Sequence, residues 1–141
     1  MSTLRPFHLA VPVNNIEQSR RFYGELLGCS EGRSASHWVD FDLFGDQFVC
    51  HLDDAGERRE PVRNGVDGVA VPVPHFGVIL DLDDWKKLRD RLQAADVTFL
   101  VEPQIRFEGQ VGEQATMFFT DPSGNALEFK AFADDSQIFA A

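Results

Sequence analysis

Twice along its 141 residues the chain runs through the same succession of patterns: an apolar strand, an amphipathic helix, then three further strands. A repeat of this kind narrows the architecture before any single residue is weighed, because each copy is one supersecondary unit with its own face to bury. In the first copy, FHLAVPV from Phe7 to Val13 is apolar and β-branched, and NNIEQSRRFYGELLG follows with Ile16, Phe22, Tyr23, Leu26 and Leu27 at near-helical spacing. Asn14 or Asn15 serves as N-cap, Glu17 falls in the first turn, and Gly28 sits where a helix end needs positive φ. Three β-like pieces come next: a weak one near Cys29 to Arg33, then HWVDFDLF, then QFVCHL, with a hairpin at Gly45-Asp46.

The second copy opens with PHFGVILDL as a strand and DDWKKLRDRLQAADV as a helix, with Asp83 as its cap and Trp85, Leu88 and Leu92 as its apolar stripe. VTFLVEPQIRF, ATMFFTD and ALEFKAF supply its strands, with PSG as a turn and EGQVGEQ as a polar loop. The expected class is α+β, built from two βαβββ modules in one domain over about 5–132. Module one spans about 5–52 and module two about 74–132. Between them, about 53–73 mixes charge, Gly and Pro and reads as a mobile connection. Residues 133–141 read as a loosely held tail.

Composition narrows the function classes. Hydrophobic residues make up 43% and charged residues 26%, a globular balance. Against 13 Lys and Arg stand 23 Asp and Glu, and a net charge of −10 is the wrong sign for phosphate backbones or anionic lipid. Neither a nucleic-acid nor a membrane partner is expected. No apolar run approaches the roughly 18 residues of a membrane span. MSTLRPFHLAVPV shows no signal-peptide pattern, so a cytoplasmic location is expected. Cys29 and Cys50 match no metal or redox spacing and read as reduced and structural.

Aligning the two copies sets His8 opposite His75 and His51 opposite Glu128. Imidazoles and a carboxylate presented from strands suit a divalent first-row metal. His8, His75 and Glu128 supply two imidazoles and a carboxylate, and His51 offers a fourth ligand that leaves two octahedral positions open. Taken singly, each His is more often a hydrogen-bonded core or surface residue than a ligand. Glu128 is the odder one: it lies between Leu127 and Phe129, where a buried carboxylate is costly unless paired or metal-bound. His37 has no partner in the repeat and reads as structural or substrate-facing.

The order His8, His51, His75, Glu128, with the ending FFTDPSGNALEF, whose most specific part runs from Phe118 to Glu128, and the helix ending RFYGELLG, resembles the vicinal oxygen chelate superfamily. That superfamily includes glyoxalase I, extradiol dioxygenases, and fosfomycin- and bleomycin-resistance proteins. The resemblance spans about residues 5 to 132. It implies two βαβββ modules curved round a cleft that holds one divalent metal ion, nickel, zinc, cobalt, manganese or iron. It further implies a small-molecule substrate bound through vicinal oxygens, and a homodimer. Glyoxalase-like members use four slots, matching His8, His51, His75 and Glu128; fosfomycin-type and dioxygenase-like members use three, matching His8, His75 and Glu128. Glyoxalase I carries Glu where His51 stands, so His51 is either a ligand or an acid–base residue. The implied function is a metal-dependent glyoxalase-like enzyme of isomerase or lyase type, with Glu128 and His51 catalytic. The alternatives are an Fe(II)-dependent extradiol-type dioxygenase and a metal-free binding protein of the bleomycin-resistance kind. Arg106, Gln104 and Gln114, expected in a loop of the second module, are candidates for a polar or anionic substrate. Trp38, Phe41 and Phe118 either line the cleft or belong to the core.

Overall fold

The computed structural model of the chain describes residues 4–53, 62–66 and 69–141. The chain divides into two compact units, Met1–Arg58 with Asp121–Asn125, and Arg59–Thr120 with Ala126–Ala141.

In the first unit, β1 (His8–Val13) leads into α1 (Ile16–Ser19), which continues as a π-helical stretch over Arg20–Leu26. Then come β2 (Glu31–Ala35), β3 (Trp38–Leu43) and β4 (Asp46–Leu52). The sheet order is β1-β4-β3-β2, with β1 parallel to β4. Alternation sends Val13, Val39, Phe41, Leu43, Phe48 and Cys50 into a core with Phe22, Tyr23 and Leu27. The opposite face presents His8, Ala10, Gln47 and His51 as exposed residues. Asn15 caps α1, its side chain accepting from the Gln18 amide at 2.9 Å. Past Ser19 the winding widens, the Leu27 amide reaching the Phe22 carbonyl, and the neighbours Phe22 and Tyr23 are both buried. The stretch ends at Gly28 (φ 77°), with the Cys29 amide folded back on the Tyr23 carbonyl. Phe44 and Gly45, both at positive φ, turn β3 into β4.

The DPSGN run closes this same unit. Asp121, 4% exposed, accepts from the Ser123 and Asn125 amides, from Asn125 Nδ2 and from the Tyr23 hydroxyl, all within 2.9 Å. Ser123 Oγ takes the Asn14 amide and Asn125 Nδ2 reaches the Pro12 carbonyl, both at 2.8 Å. Burial, followed by the Asp121 charge, raises the Tyr23 hydroxyl pKa well above its ordinary value. The same two causes, burial first, push the Cys50 thiol up to about 12.

The second unit begins with a hairpin, β5 (Val62–Val66) and β6 (Val69–Val73), paired antiparallel. The expected connection is therefore structured where it is described: Val71 of β6 is buried against Val101 and Phe118. Its remainder, 54–61 and 67–68, lies outside the described residues. Then follow β7 (Ile79–Leu80), α2 (Leu82–Ala94), β8 (Phe99–Arg106), β9 (Gln114–Thr120) and β10 (Ala126–Phe132). The order β7-β10-β9-β8, with β7 parallel to β10, repeats the first sheet strand for strand. The fold is α+β, two βαβββ modules. The strand expected at PHFGVILDL is a single bridge from Phe76 to Leu127 followed by the short β7. Asp81 rather than Asp83 caps α2, taking the Asp84 amide at 2.8 Å, because Asp81 is the last extended residue before the helix. Trp85, Leu88 and Leu92 are buried, and Trp85 Nε1 donates to the Phe129 carbonyl. The tail is tied down: Gln137 Oε1 accepts from the Gly112 amide at 2.7 Å. Among the described residues no helix is long and apolar enough to cross a membrane.

Candidate metal centre

In the second unit, His75 and Glu128 meet. The Phe76–Leu127 bridge sets the segment that leads into β7 beside the start of β10, and His75 Nε2 lies 3.5 Å from Glu128 Oε1. His75 Nδ1 is 2.8 Å from the Pro72 carbonyl, which can only accept, so Nδ1 donates there and Nε2 is turned towards the carboxylate. Glu128 Oε2 accepts from Thr116 Oγ1 at 2.6 Å, leaving Oε1 turned towards His75. The Glu128 side chain is only 10% exposed. His75 Nε2 and Glu128 Oε1 thus face each other, each group steadied from behind by a hydrogen bond, a disposition that suits two ligands of one cation. Phe118 closes one side, its ring edge-on to the imidazole at 4.7 Å.

In the first unit, His8 is exposed at the start of β1, its Nδ1 2.9 Å from Gln47 Oε1 on β4. As at His75, the contact is made through Nδ1 and not through Nε2. His51, exposed on β4, makes no side-chain hydrogen bond among the described residues. Nor is it the counterpart of Glu128. With His8 set against His75, the parallel registers place Val49 where Glu128 stands and His51 where Lys130 stands. A shift of two residues keeps the face and moves the side chain two places along the strand, so matching the strands by eye does not reveal it. Within neither unit do three or more His, Cys, Asp or Glu side chains of the described residues gather as a metal-ligand group.

The remaining candidates sort by face. Gln104 and Arg106 lie on β8 and Gln114 on β9, not in a loop. The register puts Lys130, Thr116 and Gln104 in one cross-strand row, with Gln114 and Arg106 in the next, on the face that carries Glu128 and Phe118. Phe41 belongs to the first unit's core, its ring 5.7 Å from that of Tyr23. Trp38, half-buried, pairs with His51 on the opposite face. His37 is exposed, and its carbonyl holds the Leu52 amide. Sequence reasoning missed Thr116, Gln47 and Lys130. The signal was present, since Thr116 alternates with Phe118 in ATMFFT and Lys130 with Glu128 in ALEFK.

Residues 5–129 match the family described as the Glyoxalase/Bleomycin resistance protein/Dioxygenase superfamily. The chain belongs to this superfamily. It is 28% identical over 123 residues to the glutathione transferase FosA of Serratia marcescens, a stretch covering 86% of this chain and 76% of that protein. A glyoxalase/bleomycin resistance protein/dioxygenase of Alicyclobacillus acidocaldarius shares its fold with a TM-score of 0.77 and 32% identity, over 95% of this chain and 96% of that one. A lactoylglutathione lyase of Agrobacterium tumefaciens, 14% identical, superposes with a TM-score of 0.66 over 96% of each chain. Proteins of different printed names thus share this fold, and the fold alone does not assign an activity.

Proposed function

We propose that the protein is a divalent-metal-dependent enzyme acting on a small substrate that offers two vicinal oxygens, with His8, His75 and Glu128 as the ligands. The observation that carries this reading is the His75–Glu128 pair, with Pro72 and Thr116 holding each group behind its ligating atom. The donor set fits such an ion: imidazole nitrogens and a carboxylate oxygen, carried on or beside strands. The bound ion would supply Lewis-acid stabilisation to negative charge developing on the substrate's oxygens.

This chain's own residues do the rest. Thr116 keeps Glu128 Oε2 occupied, so the carboxylate presents one oxygen only. Phe118 shields the flank of His75 from water. His51 stands outside the ligand set, since Val49 fills the place in β4 that corresponds to Glu128; its imidazole serves as acid or base towards the substrate. The protein acts as a cytoplasmic homodimer, in keeping with two buried cysteines that form no disulfide and a superfamily of small modules.

Three ligands in place of four move the reading away from glyoxalase I proper. A second reading, an Fe(II)-dependent dioxygenase, is favoured by the composition of the set, two histidines and one carboxylate.

Metal content of the purified protein tests both readings. His75→Ala and Glu128→Ala are expected to lose the metal, while His37→Ala and His51→Ala keep it and His51→Ala loses turnover. Equal occupancy in all four variants overturns the ligand set, and metal lost with His51→Ala restores the four-ligand isomerase. Iron in the wild type favours the dioxygenase; nickel, zinc or cobalt favours isomerase or lyase chemistry; none at all favours a binding protein.

A further inference from the structure

The second unit carries a cation that the ligand set does not use. Lys130 stands two residues beyond Glu128 on β10 and so shares its face. Its Nζ lies 3.8 Å from Glu128 Oε1, an ion-pair distance rather than a hydrogen bond. Nothing in that geometry commits the ammonium to Glu128, whose other oxygen already has the Thr116 hydroxyl. With His75, Gly77, Ile79 and Glu128, Lys130 lines a cleft of 290 Å³, its side chain about one-third exposed. The row running on from it passes Thr116 to Gln104, and Arg106 ends the next row. A chain of net charge −10 therefore sets two cations on the face of its one proposed ligand carboxylate.

The next step rests on the ligand reading above. Once Glu128 Oε1 serves a divalent ion, Lys130 lies beside two positive charges with its former counter-charge shared, and like charges at that range repel unless a negative group comes between them. We infer that the group is the substrate's own carboxylate. The cleft takes a 2-oxo or 2-hydroxy acid, whose vicinal oxygens include a charged one, and Lys130 is the specificity-determining residue that holds the carboxylate by a charge-assisted hydrogen bond. A neutral substrate with the same two oxygens leaves that ammonium without a partner and is discriminated against.

The test uses the full chain loaded with cobalt(II), whose visible absorption responds to a ligand entering its coordination sphere. Pyruvate and hydroxyacetone are titrated in turn; they present the same two vicinal oxygens, with and without the negative charge. The wild type is expected to bind pyruvate about tenfold or more the tighter, the scale of one charge-assisted hydrogen bond. Lys130→Met is expected to hold cobalt as well as the wild type, by competition with a chelating dye, and to narrow the preference about tenfold, to what the metal alone gives a carboxylate over a hydroxyl; Lys130→Arg is expected to keep it. A wild type indifferent between the two probes, or a Lys130→Met protein that prefers pyruvate as strongly as the wild type, overturns the inference and leaves the ligand set standing. A wild type that holds no cobalt overturns the ligand set, and the inference falls with it.

Discussion

The two units share a topology and differ in how their first and last strands pair. In the first, β1 runs beside β4 in an unbroken parallel ladder from His8 to Val13, and Ala10 sits opposite Val49. In the second, the corresponding strand is reduced to one bridge and two paired residues, and Gly77 lies so close to β10 that a Cβ on it would stand 1.6 Å from the Glu128 carbonyl oxygen. The regular sheet carries an apolar Val49, 6% exposed, at its central position, and the pinched one carries the carboxylate. One half of a duplicated fold can thus depart from the regular pairing while the other keeps it: the second unit brings two candidate ligands, His75 and Glu128, together, and the first carries His8.

The largest expected effect tests that contrast directly. Gly77→Ala drives a methyl into main chain that cannot swing aside, and is expected to cost about 3 kcal/mol or more. The reciprocal change in the first unit, Ala10→Gly, removes a methyl from an exposed strand position and is expected to cost about 0.5–1 kcal/mol. Urea unfolding of both variants gives the comparison, and similar losses for the two would remove the pinch as a structural distinction.

Asp121 comes next. Its carboxylate gathers two backbone amides, the Asn125 amide group and the Tyr23 hydroxyl in a buried place, so Asp121→Ala leaves several buried donors unpaired and is expected to cost about 3 kcal/mol. Tyr23→Phe removes one bond of the set and is expected to cost about 1 kcal/mol. The position after Val49 separates the units again. Cys50 of the first faces inward, where the second has Phe129, which cannot ionise. In the unfolded chain the thiol loses its proton from about pH 9, while in the native protein it keeps it up to about 12. Between those values the unfolded state holds fewer protons than the native one, so stability falls as pH rises, by up to about 1.4 kcal/mol per pH unit from this group. A flatter fall above pH 9 in Cys50→Ala, followed by circular dichroism, is the expected outcome; an unchanged slope would acquit the thiol.

The repeat was legible because hydrophobic period is a local property, and it gave both βαβββ modules, the Asn15 cap and the stop at Gly28. The DPSGN run was legible as a turn, but its service to the first unit was not, since that depends on Tyr23 and Asn14, far away in sequence. His8, His75 and Glu128 could be picked out by residue type and by the family resemblance. The slip at His51 has a plain cause: sequence alignment matches strands by their apolar residues, and a displacement of two residues leaves that pattern intact. Val62–Val73 escaped for the opposite reason. Its charges, Gly and Pro mask the alternation that places Val71 against Phe118.

The smallest effect bears on the comparison most closely, because each unit supports its candidate ligand differently. Thr116 donates to Glu128 from a buried site within one sheet face, whereas Gln47 meets His8 on an exposed edge. Partners behind a ligand typically contribute about 10- to 100-fold in metal affinity. Thr116→Val keeps the shape, removes the hydroxyl and leaves the Glu128 carboxylate free to turn, so it is expected near the upper end of that range. Gln47→Leu frees an imidazole that water can still orient through Nδ1, so it is expected near the lower end, about tenfold. Chelator competition on the two proteins, with Thr116→Ser as the variant that restores the hydroxyl, measures the difference. A larger loss for Gln47→Leu than for Thr116→Val would mean that the first unit, for all its regular pairing, holds its ligand the more tightly.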